Sequence, residues 1–246
     1  MKLVLAETKY LKESINIISE LVNEASVKVS KDGLELTAMD PANVAMVIFK
    51  LFSSAFVEYK VEKEDVIGIN LDNFKQILRR VKPSDTLTME LEQNKLKVKL
   101  KGDSTRTFSL ALINIDEKEH KIPDLKFNAK IEMPSGVLIE AVDDVDVVAD
   151  SVALNVEKGK FVIDAEGKLN TAKVEILEGL KIALSGDKEK VSARYSIEYL
   201  KKLVRGSKLS ENAIVQLDDE YPLKIDYNVI DKLSLSMILA PRVAND

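Results

Sequence analysis

The chain repeats itself, and that limits what it can fold into more than any single motif does. KDGLELTAMDPANVAMVIF aligns with KGKFVIDAEGKLNTAKVEI, so that Leu34 falls on Phe161, Leu36 on Ile163, Ala38 on Ala165, Ala45 on Ala172 and Val47 on Val174. FKQILRRVKPSDTLTMEL aligns with LKKLVRGSKLSENAIVQL, so that Phe74 falls on Leu200, Ile77 on Leu203, Leu78 on Val204 and Leu91 on Leu217, one position short of the first offset. A single deletion reconciles the two alignments. The chain reads as a duplicated domain, and two copies are too few for a solenoid. Its 246 residues suit one large or two ordinary domains.

Each half reads helix, strands, helix, strands. Leu11, Ile15, Ile18, Leu21 and Val22 make one apolar stripe over 10–25, and Leu71, Phe74, Ile77, Leu78 and Val81 make another over 71–82. A third helix is expected over 134–150 behind Pro134-Ser135, and a fourth over 196–205 with Gly206 as its stop. Between them GLELTAM, LTMELE, KLKVKLK, RTFSLALI, KFVIDAE, AKVEIL, LKIALS, AIVQLD, PLKIDY and LSLSMIL alternate apolar and polar. Period-two alternation with one polar face predicts antiparallel sheet, and the class is α+β. Residues 116–128, charged and aperiodic around Pro123, read as an exposed connector. The expected division is 1–116, a connector over 117–127, and 128–246.

Composition excludes several chemistries. There is no cysteine, hence no disulfide, thiol catalysis or cysteine-ligated zinc, and His120 is the single histidine. The nine glycines form no phosphate-cradling loop, and no G-x-S-x-G elbow occurs. Asp218-Asp219 before Glu220 reads as an exposed turn rather than an acid–base pair. No apolar run reaches the roughly 20 residues of a membrane span. The start MKLVLAETKYLKES lacks a signal-peptide pattern, so an intracellular protein is expected. No cofactor is expected.

Net charge is −5, so any affinity for nucleic acid needs its positive charge segregated. The second helix of each copy does this. Lys75, Arg79 and Lys82 share the spacing of Lys201, Arg205 and Lys208, with Arg80 and Lys202 beside them. Such spacing puts three cations on one helix face. It suits either a solvated face or a phosphate-binding surface without sequence preference. The third helix is acidic, with Glu140, Asp143, Asp144, Asp146 and Asp150. A cation site from Asp143, Asp146 and Asp150 lacks a glycine-rich ligand loop, and a solvated face accounts for them. A scaffold without DNA and a carboxylate-dependent hydrolase are the rival readings.

Beyond pattern, GLELTAMDPANVAMV, the stretch GINLDNFKQILRR at 68–80, KIPDLKF, MPSG at 133–136, YPLKIDY at 221–227 and ILAPRV at 238–243 resemble, in order along the whole chain, the sliding clamps of the proliferating cell nuclear antigen type of archaea and eukaryotes. The resemblance implies a DNA-clamp fold. Each subunit would have two similar domains of antiparallel sheets with helices on the inner face, and subunits would close into a ring of three, identical or mixed. Duplex DNA would thread the ring without sequence specificity, and no reaction would be catalysed. Lys9, Lys12, Lys75, Arg79, Arg80, Lys82, Lys201, Lys202 and Arg205 match positions facing the hole. Glu140 and Asp143 depart from the pattern, since the third helix ordinarily adds basic residues.

The resemblance also implies a pocket for short peptide motifs of a clamp loader, DNA polymerase, flap endonuclease and DNA ligase. Met39, Val44 and Met46 would form its floor, Ile122, Pro123, Leu125 and Phe127 its lip, and Pro222, Leu239, Ala240 and Pro241 its wall. Methionine suits a surface that must accept several ligands. RTFSLALI and TAKVEIL match the two subunit-edge strands, with Phe108, Leu110, Lys173 and Glu175 at the interface. The location implied is the cytoplasm, with the nucleoid, if the source is archaeal.

Overall fold

The computed structural model describes residues 1–115, 120–186 and 188–242. The expected boundary at 116/117, the start of the connector and Val243 of the ILAPRV motif lie outside the described residues. The chain forms two compact units. The first comprises Met1–Pro41, Val47–Lys121 and Val229–Leu235; the second comprises Ala42–Met46, Ile122–Asn228 and the chain from Ser236.

The first unit carries β1 (Lys2–Leu5), α1 (Lys9–Ile18), β2 (Glu24–Val29), β3 (Gly33–Met39), most of β4 (Ala45–Phe52), β5 (Glu58–Lys60), β6 (Asp65–Asn70), α2 (Leu71–Leu78), β7 (Thr86–Glu92), β8 (Lys95–Lys101) and β9 (Thr105–Ala111). The second carries β10 (Ala129–Pro134), α3 (Ser135–Asp146), β11 (Ser151–Glu157), β12 (Lys160–Glu166), β13 (Thr171–Ile176), β14 (Lys181–Leu184), β15 (Lys190–Ser196), α4 (Ile197–Val204), β16 (Asn212–Leu217), β17 (Leu223–Val229) and the end of β18 (Leu233–Leu239).

The duplication is a duplication of topology. The first unit lays its strands in the orders β5-β1-β7-β8-β9 and β4-β3-β2-β6, and the second in the orders β14-β10-β16-β17-β18 and β13-β12-β11-β15. Each strand of the second unit is the counterpart, element by element, of a strand in the first. The repeat-matched residues do the same work: Leu34, Leu36 and Ala38 are buried, as are Phe161, Ile163 and Ala165. In β8 the alternation KLKVKLK buries Leu96, Val98 and Leu100 and leaves the lysines on the other face. Each such burial contributes about 1.5–3 kcal/mol.

Two matched pairs of strands, β4 with β13 and β9 with β18, depart from this equivalence. Ala45 and Val47 of β4 are buried, whereas their counterparts Ala172 and Val174 of β13 are half-exposed. β13 ends its sheet. β4 does not: the Phe52 amide donates to the carbonyl of Lys232 at 2.9 Å within the first unit. β9 likewise ends its sheet. The edge of β6 is met by the chain after β9, where the Ile113 amide donates to the Gly68 carbonyl at 3.0 Å. A Cβ on residue 68 would lie 2.2 Å from the Ile113 carbonyl oxygen, so glycine is required there.

The helices are shorter than their apolar stripes predict. Leu21 and Val22 follow the end of α1, their amides reaching back to the Ile18 carbonyl, and remain buried in a turn. After Leu78 the Arg80 and Val81 amides donate to Ile77 and Leu78, three residues back, and Pro83 prevents further helix. Gly206 does not stop a helix by a left-handed turn. It lies in a 3₁₀ turn over Arg205–Lys208, where a Cβ would sit 2.2 Å from the ring of Tyr227.

Candidate nucleic-acid interface and partner surface

The cations of the first unit gather around the start of α1 and the end of α2, which pack on each other. Asn70 caps α2, its side-chain oxygen accepting from the Asn73 amide at 2.9 Å. Only Lys75 of the expected triad lies inside the helix. Arg79 is its C-cap, and Arg80 and Lys82 sit in the turn beyond. Arg79, Arg80 and Lys82 are exposed. Lys75 is not: its side chain is 14% exposed and its Nζ lies 3.5 Å from Glu20. Lys9, Lys12 and Lys82 border one shallow cleft together with Glu7 and Glu13, a grouping that their distance in sequence conceals.

The turn after α2 is built by Asp85, which is almost fully buried. Its Oδ2 accepts from the Lys82 amide at 2.6 Å and from Arg106 Nη2. The Lys82 amide, followed by the Arg106 guanidinium, holds the Asp85 carboxyl below its ordinary range, outweighing the opposing effect of burial. Sequence reading missed both residues. The signal available was Gly102, whose missing Cβ leaves room 2.4 Å from Asp85 Oδ1.

In the second unit Lys201, Lys202 and Arg205 line α4 and its end, with Lys208 exposed in the following turn. α3 packs on α4, and Asp146 pairs with Lys201 at 2.5 Å. Lys202 lies 3.3 Å from Glu198 and 5.0 Å from the ring centroid of Tyr199. The acidic helix therefore neutralises part of the basic one, while Glu140, Asp143 and Asp144 stay exposed. Among the described residues no group of three carboxylates or histidines is placed to hold a metal ion.

The residues expected to form a peptide pocket divide by burial. Met46 and Leu239 are buried at 5% and 0% exposure and act as core. Val44, Leu125, Phe127, Pro222, Ala240 and Pro241 are half-exposed, while Ile122 and Pro123 are exposed. Within the second unit the Ala240 amide donates to the Val44 carbonyl at 2.9 Å, bringing floor and wall together. Phe127 meets Tyr221 edge-on at 5.8 Å between ring centroids, which brings lip to wall. Met39 is half-exposed at the end of β3 in the first unit.

On β9, Phe108 is half-buried and Leu110 is 6% exposed, turned into its own core. On β13, Lys173 and Glu175 are exposed and pair with each other. Both strands end their sheets, and an open strand edge is a template for pairing with another chain.

Comparison with known proteins adds to this geometry. Residues 1–121 match the family model described as proliferating cell nuclear antigen, N-terminal domain, and residues 121–242 match its C-terminal domain. A DNA polymerase sliding clamp of Nanoarchaeum equitans is 36% identical, covering 98% of this chain and 99% of that protein. One of Pyrococcus horikoshii is 34% identical, covering 98% of each. A crystal structure of the proliferating cell nuclear antigen from Thermococcus kodakaraensis superposes with a TM-score of 0.91 at 27% identity, covering 98% of this chain and 99% of that one.

Proposed function

The chain belongs to the proliferating cell nuclear antigen family, and we propose that it acts as a DNA polymerase sliding clamp, a non-catalytic processivity factor that encircles duplex DNA and tethers replication and repair enzymes to it. One observation carries this reading beyond family membership. A chain of net charge −5 sets exposed Lys9, Arg79, Arg80 and Lys82 about α1 and the end of α2 and exposed Lys208 after α4, and β9 and β13 keep open edges. Cations on short, packed helices with no groove-reading element suit phosphate contact without sequence preference. Open edges suit head-to-tail pairing, which closes into a ring when the rotation per subunit allows.

In this reading Lys9, Lys12, Arg79, Arg80 and Lys82 meet DNA most directly. Lys75, Lys201 and Lys202, each beside a carboxylate, and Arg205 support that face. β9 of one subunit, with Phe108, pairs with β13 of the next in a trimer. Leu110, Lys173 and Glu175 flank that seam. The half-exposed surface from Val44 through Phe127 to Pro222 and Pro241 receives short helical motifs of a polymerase, clamp loader, flap endonuclease or ligase. A cytoplasmic place beside the nucleoid goes with the archaeal relatives; no helix among the described residues is long and apolar enough to cross a membrane.

Primer extension tests the function. On a singly primed circular template with an archaeal replicative polymerase and its clamp loader, adding this chain should lengthen the products made per binding event. Products of unchanged length would contradict the reading.

A further inference from the structure

The turn Asp218-Asp219-Glu220-Tyr221-Pro222 is braced at both ends. Asp218 Oδ2 accepts from Asn128 Nδ2 at 2.5 Å, and its Oδ1 accepts from Lys188 Nζ at 2.5 Å and from the Asp219 amide at 2.9 Å. Asp219 Oδ2 accepts from the same Lys188 Nζ at 2.9 Å, while its Oδ1 accepts from the Ser192 amide at 2.7 Å. At the other end the hydroxyl of buried Tyr195 donates to the Tyr221 carbonyl at 2.8 Å. Between the braces Glu220 takes a left-handed conformation, φ 50°, which a non-glycine residue holds only when its surroundings fix it.

Asn128 is the residue that follows Phe127, and its own carbonyl accepts from the Ser185 amide at 2.8 Å. One carboxylate, Asp218, therefore joins the exit of the connector to the turn that carries Tyr221 and Pro222. Two adjacent carboxylates repel each other. Lys188 lies between them, and its ammonium donates to both. A lone exposed ion pair contributes little, but a network of shared, charge-assisted hydrogen bonds fixes geometry.

We propose that Lys188 is a positioning residue for the partner surface: by holding Asp218 and Asp219 together it fixes the spacing between Phe127 on the connector and Tyr221 and Pro222 on the turn. This rests on the reading that the surface receives partner peptides. Lys188 itself touches neither Phe127 nor the peptide; it acts through the two carboxylates.

The test uses the full chain as wild type, Lys188→Gln, Lys188→Arg and Asn128→Asp. The probe is a fluorescein-labelled synthetic peptide with two aromatic residues on one helical turn, followed by anisotropy, alongside amide hydrogen exchange. Lys188→Gln should weaken peptide binding about fivefold or more. It should also speed exchange over 122–128 and 219–222, with oligomer mass and unfolding midpoint unchanged. Lys188→Arg should bind within about twofold of wild type, since it keeps the charge and the donors. Asn128→Asp, which sets a third carboxylate against Asp218, should reproduce the loss by another route. Wild-type binding and wild-type exchange in Lys188→Gln would overturn the proposal. A peptide that fails to bind even the wild type would overturn the partner-surface reading instead, and the exchange measurement would still decide the role of Lys188.

Discussion

Arg106 donates from Nη1 to the main-chain carbonyl of Arg80 at 2.7 Å. The donor stands on β9, a strand with an open edge, and the acceptor in the cationic turn after α2. The same guanidinium engages Asp85 through Nη2. The edge strand and the cationic turn are thus one mechanical piece. Arg106→Ala should speed hydrogen exchange at the Val81 and Lys82 amides roughly tenfold, the effect of removing a charged hydrogen bond, with the far side of the unit unchanged. Uniform acceleration over the whole unit would show a general loss of stability instead.

Asp85 also sets a pH dependence. Its carboxyl is held below the ordinary value of 3.8 by the Lys82 amide and Arg106. A carboxylate depressed on folding contributes stability that is complete above its unfolded pKa and is lost as pH falls through its folded one. The melting temperature should therefore change little through this group above about pH 5 and fall below about pH 4. In Asp85→Asn the acid-side fall should be shallower, with a lower plateau near neutrality. Parallel curves for the two proteins would contradict the assignment.

The exposed and the paired cations should differ on DNA. Each phosphate that the protein no longer neutralises lowers the salt slope of binding by about 0.9. Reversing Arg79, Arg80 and Lys82 to Glu should therefore flatten the slope by roughly 2–3 and suppress DNA-stimulated loading. Lys201→Ala, which removes a cation already 2.5 Å from Asp146, should change the slope by less than a single phosphate would. Equal effects would mean that Asp146 releases Lys201 to the phosphates.

Burial separates two residues of the proposed partner surface. Met46→Asp places an unpaired carboxylate at a site 5% exposed. It should destabilise the second unit by about 3 kcal/mol, read as a lower denaturation midpoint. Phe127→Ala removes a half-exposed ring that meets Tyr221. It should cost peptide affinity about tenfold and leave that midpoint near wild type. A Met46→Asp protein of normal stability that fails only in peptide binding would return Met46 to the pocket floor.

Much of the fold is written in periodicity. The duplication appears as paired apolar positions because Leu34 and Phe161, or Phe74 and Leu200, fill equivalent core sites. Strands with a wet face, such as β8, declare themselves by alternation. β11, with Val152, Ala153, Leu154 and Val156 all buried, does not alternate and is illegible for that reason. The apolar stripes overrun the helix ends because Leu21, Val22 and Val81 stay apolar in buried turns, where burial and not helix fixes residue type. Spacing locates the cations of the site, yet it cannot show that Lys75 and Lys201 are partnered. Glu20 lies beyond the end of α1 and Asp146 on α3, and only the packed fold brings them close. The braces on Asp85 and Asp218 are hidden for the same reason: Arg106 stands 21 residues from Asp85, and Asn128 stands 90 residues from Asp218.

Retention on DNA of different topology tests the central claim most directly. The chain should be loaded on nicked circular duplex, and its dissociation followed before and after the circle is cut once. A ring held by enclosure persists on the circle and runs off the free ends soon after cutting. Phe108→Ala, which would thin the proposed seam at β9 and should sediment as monomer when dilute, should not persist on either form. Equal lifetimes for the wild-type protein on circle and cut line would contradict encirclement.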